Sequence, residues 1–358
     1  MTRRVFVHVG APKTGTTYLQ ATMAANRSLL AGHGVTYPST SISGNHFDAA
    51  IDLIDHRWGG RLEQARGHWD RLAGAATKTP GDAVISHEVL AAATAEQASK
   101  ARGLLADREV HIVYTARDLA RQIPAEWQET VKHRGRQQFR RFVADLAKDN
   151  RTHPSGWFWK VQGLPAVLER WGDDLPREHV HLITVPAAGS PPDVLWDRFA
   201  SVVGLPADLD LEAAERSANA SLGTAETALM RHLNIALKGR SIPQPVYATT
   251  VRELLARDVL GPRKGTLRAT VPPRFRSFVE EVTTQWRDWI AASGIDVVGD
   301  VDELTPQWDD PVDWVDPDKP PAEDVLDSAV QSIAKLVELE ADRYRSSTPR
   351  KLRRRLGL

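Results

Sequence analysis

The sequence predicts an α/β fold with a central parallel sheet and helices on both faces of that sheet. Short runs rich in β-branched residues recur along the chain as RVFVHV, DAVIS, EVHIVYT and HVHLITV, and each run predicts a buried strand. Longer segments with helical spacing lie between these runs. A glycine-rich turn follows the first run directly, which is typical of a strand-to-helix turn in such folds.

The composition limits the class of protein. The 358 residues suit one large domain, or one domain with an appendage, while 46 basic and 46 acidic residues give no charge excess that would favour nucleic acid. The absence of cysteine excludes disulfides and thiolate metal sites. The first apolar run is too short for a signal peptide, and no run approaches the about 20 residues that span a bilayer. We therefore expect a cytoplasmic protein, and the sequence does not predict its oligomeric state.

The predicted helices include TTYLQATMAANRSLLAGHG, AEQASKARGLLAD and PPDVLWDRFASVVG, and the region around 190–295 is mainly helical. We expect three segments: a main domain over 1–295, an acidic, proline-containing linker over 296–321, and an amphipathic helix with a basic tail over 322–358.

The predicted C-terminal helix carries one apolar stripe, formed by Leu326, Val330, Ile333, Val337 and Tyr344. Three interpretations of the basic tail stay open: a solvated segment, a contact with the acidic linker, or peripheral contact with an anionic membrane surface.

The turn HVGAPKTGTT has the Gly10-x-x-x-x-Gly15 spacing of a phosphate-binding loop. Backbone amides of such a turn and the following helix N-terminus favour an anion, and the hydroxyls of Thr14, Thr16 and Thr17 add donors. In triphosphate-binding loops, however, a lysine follows the second glycine directly. Here that position is Thr16, and Lys13 lies inside the loop, which suits one 5′-phosphate joined to a transferable group of lower charge.

The segment PKTGTT resembles the 5′-phosphosulfate-binding loop of the sulfotransferases that use 3′-phosphoadenosine 5′-phosphosulfate (PAPS), and it occupies the same place after the first strand. The resemblance implies that Lys13 contacts the bridging oxygen and the sulfuryl group. It also implies that Gly15, Thr16 and Thr17, with Thr14 nearby, hold the 5′-phosphate. The segment RDLARQIPAEWQE is similar to a bacterial, actinobacterial-like branch of that family. The resemblance covers about residues 1–295.

Arg117 follows the run EVHIVYT, at the edge where open α/β sheets bind ligands, and an arginine there can bind a phosphate through two hydrogen bonds. An ion pair with a neighbouring acid at the helix start is the structural alternative. The family resemblance implies that Arg117 binds the donor's 3′-phosphate. The serine that usually follows eight residues later is replaced by Ala125, which leaves that contact to Arg121, Gln122 or Gln128.

A second basic loop, GPRKGTLRA, resembles the Arg-Lys-Gly segment that closes over the 3′-phosphate in cytosolic sulfotransferases. This resemblance implies that Arg263, Lys264 and Gly265 contact the donor. A solvated basic turn is the alternative interpretation.

Transfer to an alcohol needs a proton acceptor, and the strand end SHEVL carries two candidates. Glu88 is the first choice, with a pKa that burial would raise, and His87 is the second. His46 is a third candidate and a possible contact for the substrate. The alternatives are a helix N-terminal acid for Glu88 and a loop histidine or helix cap for His46.

Three other features give weaker indications. His179 and His181 alternate on a predicted strand, but no third ligand is spaced nearby, so no metal site is expected. VKHRGRQQFRR predicts a solvated helix face or a site for an anionic acceptor. The aromatic residues of SGWFWK are filler, or they form a wall for a sugar or aromatic acceptor.

Together these residues predict metal-independent transfer of a sulfuryl group from PAPS to a carbohydrate, lipid or small-metabolite acceptor, with adenosine 3′,5′-bisphosphate as the second product. Two alternatives stay open. One is a P-loop-type phosphotransferase, for which Asp118 and Glu88 are the only strand-end acids that could hold Mg²⁺. The other is a catalytically silent relative that binds a nucleotide.

Overall fold

The computed structural model describes residues 2–40, 44–148, 156–191, 193–212, 221–308 and 314–347. It confirms the predicted α/β class, because helices surround a central sheet in which every strand pairing is parallel. Within the described residues the sheet has six strands in the order β2-β3-β1-β4-β5-β6. Their bounds are β1 Arg4–Gly10, β2 Val35–Thr36, β3 Asp82–Ser86, β4 Glu109–Ala116, β5 Val180–Thr184 and β6 Asp296–Val298.

The four strands that the apolar runs predict are all present, and two short edge strands are not predicted. The strands β2 and β6 have two and three residues, which is too few for a hydrophobic pattern to identify them. The strand β6 also begins with an acidic residue, which is not typical of a buried strand. Asp296 pairs in register with His181 of β5, so the structure contradicts a linker that begins at residue 296.

The α-helices have the following bounds: α1 Thr16–Ala25, α2 Arg27–Gly32, α3 Phe47–Leu53, α4 Leu62–Ala65, α5 His68–Lys78, α6 Ala95–Gly103, α7 Leu119–Lys132, α8 Phe139–Lys148, α9 Gly156–Gln162, α10 Leu164–Gly172, α11 Val194–Val203, α12 Thr224–Ala236, α13 Gln244–Tyr247, α14 Arg276–Ser293 and α15 Ala322–Ser347. The helix α13 continues into a π-helical segment, Ala248–Leu260. None of the helices in the described part of the chain is both long and apolar enough to cross a bilayer.

The long helix predicted after the glycine loop is divided at Asn26. The buried Asn26 side chain donates to the Thr22 carbonyl and to the Glu212 carbonyl, and it accepts from the Glu212 amide. The Asn26 backbone itself leaves the helical conformation, with φ −104° and ψ 20°, so α1 ends here and the side-chain contacts connect the break to a distant segment. Sequence spacing alone does not show such a partner.

The chain divides into two compact units, and the first contains the sheet. Unit 1 comprises Met1–Glu126, Val143–Ser217 and Pro273–Asp309. On one face, strand residues such as Phe6 and Val113 pack with Leu19 of α1 and Phe199 of α11. The next residue of β4, Tyr114, points to the other face and donates its hydroxyl to the Val161 carbonyl of α9 at 2.9 Å. Both faces of the sheet are therefore covered.

Unit 2 comprises Trp127–Phe142, Ala218–Pro272 and Asp310–Leu358. Its core includes Trp127, whose ring lies 4.9 Å from that of Phe139. Asp318, from the predicted linker, accepts from the Phe139 and Arg140 amides and so caps α8. Asp318 of the predicted linker therefore has specific partners in the folded chain.

The predicted C-terminal helix is present as α15, but its apolar stripe faces solvent. Leu326 is 65% exposed and Ile333 is 60% exposed, whereas the small residues Ser328 and Ser332 are buried. The helix packs through this small-residue face against α12 and the π-helical segment. Most of the basic tail, from residue 348 onward, lies outside the described residues.

Candidate active site

The glycine loop, residues 10–17, lies at the carboxyl edge of the sheet between two strand ends that carry charged side chains. The Ala11 amide donates to the Thr115 carbonyl of β4, and the His87 amide after β3 donates to the His8 carbonyl of β1. Arg117 and Glu88 therefore follow the strands on either side of β1. The connections from β1 and β4 leave in opposite directions, and open α/β sheets bind ligands at such a switch point.

Two glycines allow the chain to form this loop. Gly10 has φ +130° and Gly15 has φ +89°, both in the region that side chains disfavour. A Cβ on Gly15 would also lie 2.4 Å from Cδ2 of Leu195. Gly15 is the N-cap residue of α1 and has no side chain to accept from the first-turn amides, so these amides and the helix dipole favour an anion.

Below the loop lies a buried polar network that the sequence analysis missed. The Thr14 hydroxyl donates to the Ala11 carbonyl and contacts the Thr115 hydroxyl, each at 2.5 Å. The Thr115 hydroxyl also donates to the Gly10 carbonyl, and His8 contacts Ser86 at 2.8 Å. Burial lowers the pKa of His8 to about 4, so its ring is neutral at pH 7. The lone polar residues inside apolar strands were the available signal.

The loop residues predicted to bind the donor differ in their exposure. Thr14 is buried and its hydroxyl donates to the Ala11 carbonyl below the loop, so a contact of Thr14 with phosphate stays a prediction. Thr16 is also buried, whereas Gly15 and Thr17 are exposed and Lys13 is partly exposed. The charge of Lys13 is one of the influences that lower the pKa of Glu88.

Arg117 is a cation whose hydrogen bonds go to neutral oxygens. Its Nε donates to Oε1 of Gln122 and its Nη2 to the Arg121 carbonyl, both at 3.0 Å. Asp118 pairs with Arg121 instead, so the alternative of an ion pair between Arg117 and its neighbour is wrong. Burial lowers the pKa of Arg117 to about 10, yet the guanidinium remains charged at pH 7. A partly buried cation with neutral partners favours an incoming anion.

Gln122 connects Arg117 to the glycine loop. While its Oε1 accepts from Arg117, its Nε2 donates to the Pro12 carbonyl at 2.5 Å. Gln162 donates to the same carbonyl at 3.0 Å. Among the three residues proposed to replace the missing serine at Ala125, Gln122 is the one that contacts both Arg117 and the loop.

Glu88 lies beside the loop with a pKa that differs from the expected one. Burial acts to raise the pKa of Glu88, but His87, the backbone amide of Glu88, the Gln20 side chain and Lys13 together outweigh it and lower the pKa. Gln20 of α1 donates to Oε2 of Glu88 at 3.0 Å. The expectation of a raised pKa is therefore wrong for the free protein, in which Glu88 is ionised.

His87 and His46 are held by hydrogen bonds to the backbone. Nδ1 of His87 accepts from the Val89 amide at 3.1 Å, and burial lowers the pKa of His87. Nε2 of His46 donates to the Pro38 carbonyl, and its Nδ1 accepts from the Ser86 amide. Burial lowers the pKa of His46 to about 4. Both ring nitrogens of this buried histidine already have backbone partners, and a role for His46 in contacting substrate or accepting its proton stays a prediction.

A row of aromatic side chains extends from His87. The ring of Phe47 lies 5.3 Å from His87, Trp58 lies 5.6 Å from Phe47, and Trp157 lies 5.4 Å from Trp58. Phe47, Trp58 and Trp157 are partly exposed. Trp157 belongs to the segment predicted as a wall for an acceptor, and the structure brings it to the base side of the site.

The second basic loop lies in unit 2, where Arg263 is engaged by two acids. Its Nε lies 2.7 Å from Oε1 of the fully buried Glu226, and its Nη1 lies 2.8 Å from Oδ2 of Asp327. Lys264 and Gly265 are exposed. Carboxylates therefore already compensate the charge of Arg263, and the contact of Arg263, Lys264 and Gly265 with a donor stays a prediction.

At the opposite edge of the sheet, the fold brings together residues that could bind a metal and that the sequence did not predict. His179 precedes β5 and is not part of it. It converges with Glu109 and His111 from the start of β4, so the fold supplies ligand-type residues that the sequence spacing around His179 and His181 does not show. These residues lie at the amino ends of the strands, away from the glycine loop.

Comparison with known proteins gives one similarity. No family model matches the sequence, and no curated protein matches it. The chain is similar to the crystal structure of a sulfotransferase from Alicyclobacillus acidocaldarius, at 17% identity over 66% of this chain and 94% of that chain, with a TM-score of 0.40.

Proposed function

We propose that the protein transfers the sulfuryl group of PAPS to an acceptor hydroxyl. The observation that carries the proposal is the position of one cation, Lys13, ahead of the helix N-terminus at Gly15, with Arg117 at the next strand end. This arrangement offers one anion site at the loop and a second at Arg117. A nucleotide with a 5′-phosphosulfate and a 3′-phosphate presents two such anions.

In the proposed reaction the acceptor oxygen attacks sulfur in line with the bridging oxygen of the donor. The bond from sulfur to the acceptor oxygen forms while the bond from sulfur to the bridging oxygen breaks. The electron pair of the broken bond stays on adenosine 3′,5′-bisphosphate, where Lys13 and the first-turn amides of α1 stabilise the developing charge. The acceptor proton passes to the Glu88 carboxylate.

The low pKa of Glu88 in the free protein is compatible with this role. Lys13 is one of the groups that lower it. A bound donor adds negative charge beside Glu88 and shares the attraction of Lys13, and both effects raise the pKa of a neighbouring carboxylate. Donor binding therefore moves Glu88 toward the pKa that a base needs.

The aromatic row supports an acceptor with an apolar face. Phe47, Trp58 and Trp157 begin beside His87, the residue before the proposed base, and remain partly exposed. Sugar rings and aromatic compounds both pack on such surfaces. We therefore propose a carbohydrate or an aromatic metabolite as the acceptor class.

A phosphotransferase fits the site less well. It needs a carboxylate for Mg²⁺ near the loop threonines. Both oxygens of Asp118 bind Arg121, and Glu88 is held by Gln20. Asp118 is thus already occupied, and Glu88 is the one strand-end acid left to hold such an ion.

Calorimetry and a transfer assay test the proposal together. Adenosine 3′,5′-bisphosphate should bind to the full-length protein in EDTA, whereas ATP with Mg²⁺ should bind much more weakly. Labelled PAPS with a panel of sugars and phenols should then give sulfated product. The reverse order of affinities would favour the phosphotransferase, and tight bisphosphate binding without turnover on any acceptor would favour the catalytically silent relative.

A further inference from the structure

A second polar cluster lies at the opposite edge of the sheet, where the strands begin. We call it the amino-edge cluster, and it comprises Glu109 and His111 of β4, His179 just before β5, His181 of β5, and Asp296 of β6. The eight-residue β4 separates it by about 23 Å from the strand end that precedes Arg117. The proposed transfer reaction makes no use of these residues.

Three members of the cluster converge at distances that suit a common ion. Oε1 of Glu109 lies 2.9 Å from Nε2 of His111 and 3.9 Å from Nε2 of His179. The ligand atoms of the three residues all lie within 4.8 Å of one another. Two ligand atoms on one tetrahedral zinc ion lie about 3.3 Å apart. The rings of His111 and His179 stack with their centroids 4.3 Å apart, so the partly exposed His179 ring has to turn for both Nε2 atoms to point at one ion.

The other two members extend a chain of hydrogen bonds behind His111. Nδ1 of His111 lies 2.8 Å from Nε2 of His181, and Nδ1 of His181 lies 2.7 Å from Oδ2 of Asp296. With the contact between Glu109 and His111, this hydrogen-bonded series has three contacts, and each contact needs one proton between its two heavy atoms. Two neutral imidazoles carry only two N–H groups. The third contact therefore needs a further cation, which is either a third proton on one imidazole or a metal ion.

We propose that Glu109, Nε2 of His111 and Nε2 of His179 bind a divalent transition-metal ion of the zinc class, with water in the fourth position. An ion there resolves the shortage of protons: His111 donates through Nδ1 to His181, and His181 donates through Nδ1 to Asp296. Metal-bound histidines usually donate their other N–H in this way. Two imidazoles and one carboxylate favour Zn²⁺ over Mg²⁺ or Ca²⁺, which prefer oxygen ligands.

The exposure of the ligands fits entry of an ion from solvent. The His111 side chain is 8% exposed, whereas those of Glu109 and His179 are 34% and 19% exposed. The ion would thus bind at the surface with one buried ligand, and the fourth position faces water. By joining the start of β4 to the segment before β5, it stabilises the fold and takes no part in sulfuryl transfer.

Titration of the metal-stripped, full-length protein with Co²⁺, followed by displacement with Zn²⁺, tests this inference. We expect one equivalent of Co²⁺ with the visible absorption of a four-coordinate ion, and a rise of the melting temperature with Zn²⁺. His179→Ala should weaken binding at least about 100-fold, and Asp296→Asn about 10-fold, because it releases the orientation of His181 and His111. Glu109→Gln keeps the side-chain shape and should also weaken binding.

The matched control is His33→Ala, which removes an exposed histidine outside the cluster and should leave the affinity unchanged. Circular dichroism establishes that each variant is folded, and the partly exposed positions of Glu109 and His179 avoid the buried His111. Absence of a stoichiometric Co²⁺ spectrum in the wild-type protein, or equal loss in His33→Ala and His179→Ala, overturns the site. A chain of hydrogen bonds closed by a proton gives the first of these results. None of these outcomes bears on the proposed transferase reaction.

Discussion

The two edges of the central sheet carry polar groups that are brought together in different ways. At the carboxyl edge, Lys13, Gly15 and Thr17 come from one continuous loop, and Arg117 and Glu88 follow directly on the neighbouring strands. At the amino edge, the cluster combines residues from three strands with His179, which lies in none of them. A contiguous loop leaves a spacing that can be recognised in the sequence. A site assembled across strands leaves only scattered histidines and acids.

The comparison also separates chemistry from stability. At the carboxyl edge the Arg117 guanidinium donates to neutral oxygens, which suits a ligand that binds and leaves. The amino edge has imidazoles bonded to one another and to carboxylates, which suits a permanent ion. The substitutions proposed next alter groups at the carboxyl edge. A loss of metal affinity at the amino edge caused by one of them would contradict this distinction.

The largest effect is expected from Glu88→Gln, which removes the proposed proton acceptor and retains the side-chain shape. Loss of a general base typically lowers turnover by about 10²–10⁴-fold. In the wild-type protein kcat/KM reports the free enzyme, so it should decrease in acid with a midpoint below the usual pKa of glutamate. The value of kcat reports the complex, in which the bound donor raises the pKa of Glu88, so the midpoint of its acid limb should lie at higher pH. Rate profiles against pH measure both limbs.

The control for that change is Glu96→Gln, which alters an exposed acid at the start of α6. It should leave turnover and both limbs unchanged. Turnover by Glu88→Gln equal to that of the wild-type protein would remove Glu88 from the mechanism and return the role of base to His87.

Lys13→Ala should lower the transfer rate by about 10²–10³-fold, since removing one well-placed donor to a developing charge has that effect. Lys100→Ala, at an exposed position of α6, provides the matched loss of one lysine. Labelled donor and product analysis measure the rate, and circular dichroism tests the fold. Equal rates in the two variants would contradict the assignment of the loop to the leaving group.

Stability should fall in acid because of two buried histidines below the carboxyl edge. Burial lowers the pKa of both His8 and His46 to about 4, well below the value of about 6.5 for an unfolded chain. As the pH falls, these histidines bind protons in the unfolded chain before they do so in the folded protein. Their contribution to the free energy of unfolding is therefore fully present above about pH 6.5 and is lost as the pH falls toward 4. Each histidine should account for about 2 kcal/mol of lost stability between pH 7 and pH 5.

Urea unfolding of the wild-type protein and of His46→Asn measures this loss. The variant should be less stable at pH 7 but should lose less stability on acidification. The same loss in both proteins would show that His46 titrates normally in the folded chain.

A smaller effect is expected from Arg117→Gln. It removes a charged hydrogen-bond donor to the 3′-phosphate and should raise the dissociation constant of adenosine 3′,5′-bisphosphate at least about tenfold. The affinity for adenosine 5′-phosphate should change much less, because that ligand lacks the 3′-phosphate. Arg257→Gln, at an exposed position, is the control. Equal losses for both ligands would place Arg117 elsewhere in the site.

Most of the sheet could be predicted from the sequence, because β1, β3, β4 and β5 are apolar runs long enough to show a pattern. The strand β6 could not be predicted, because Asp296 is polar and its hydrogen-bond partner, His181, lies far away in the sequence. The same reason explains the missed cluster at the amino edge. Glu88 was located correctly at its strand end, but its pKa depends on Gln20 and Lys13, and no local pattern reveals those neighbours.

A single amide side chain has a consequence for how nucleotides would be told apart. Gln122 accepts from Arg117 with one end and holds the Pro12 carbonyl with the other. Under the proposed function, a 3′-phosphate that draws the guanidinium toward itself would therefore also act on the loop that would hold the 5′ end of the same nucleotide. A ligand with a free ribose 3′-hydroxyl would lose the contact with Arg117. It would also lose the effect of that contact on the loop, so its affinity would fall by more than one hydrogen bond accounts for.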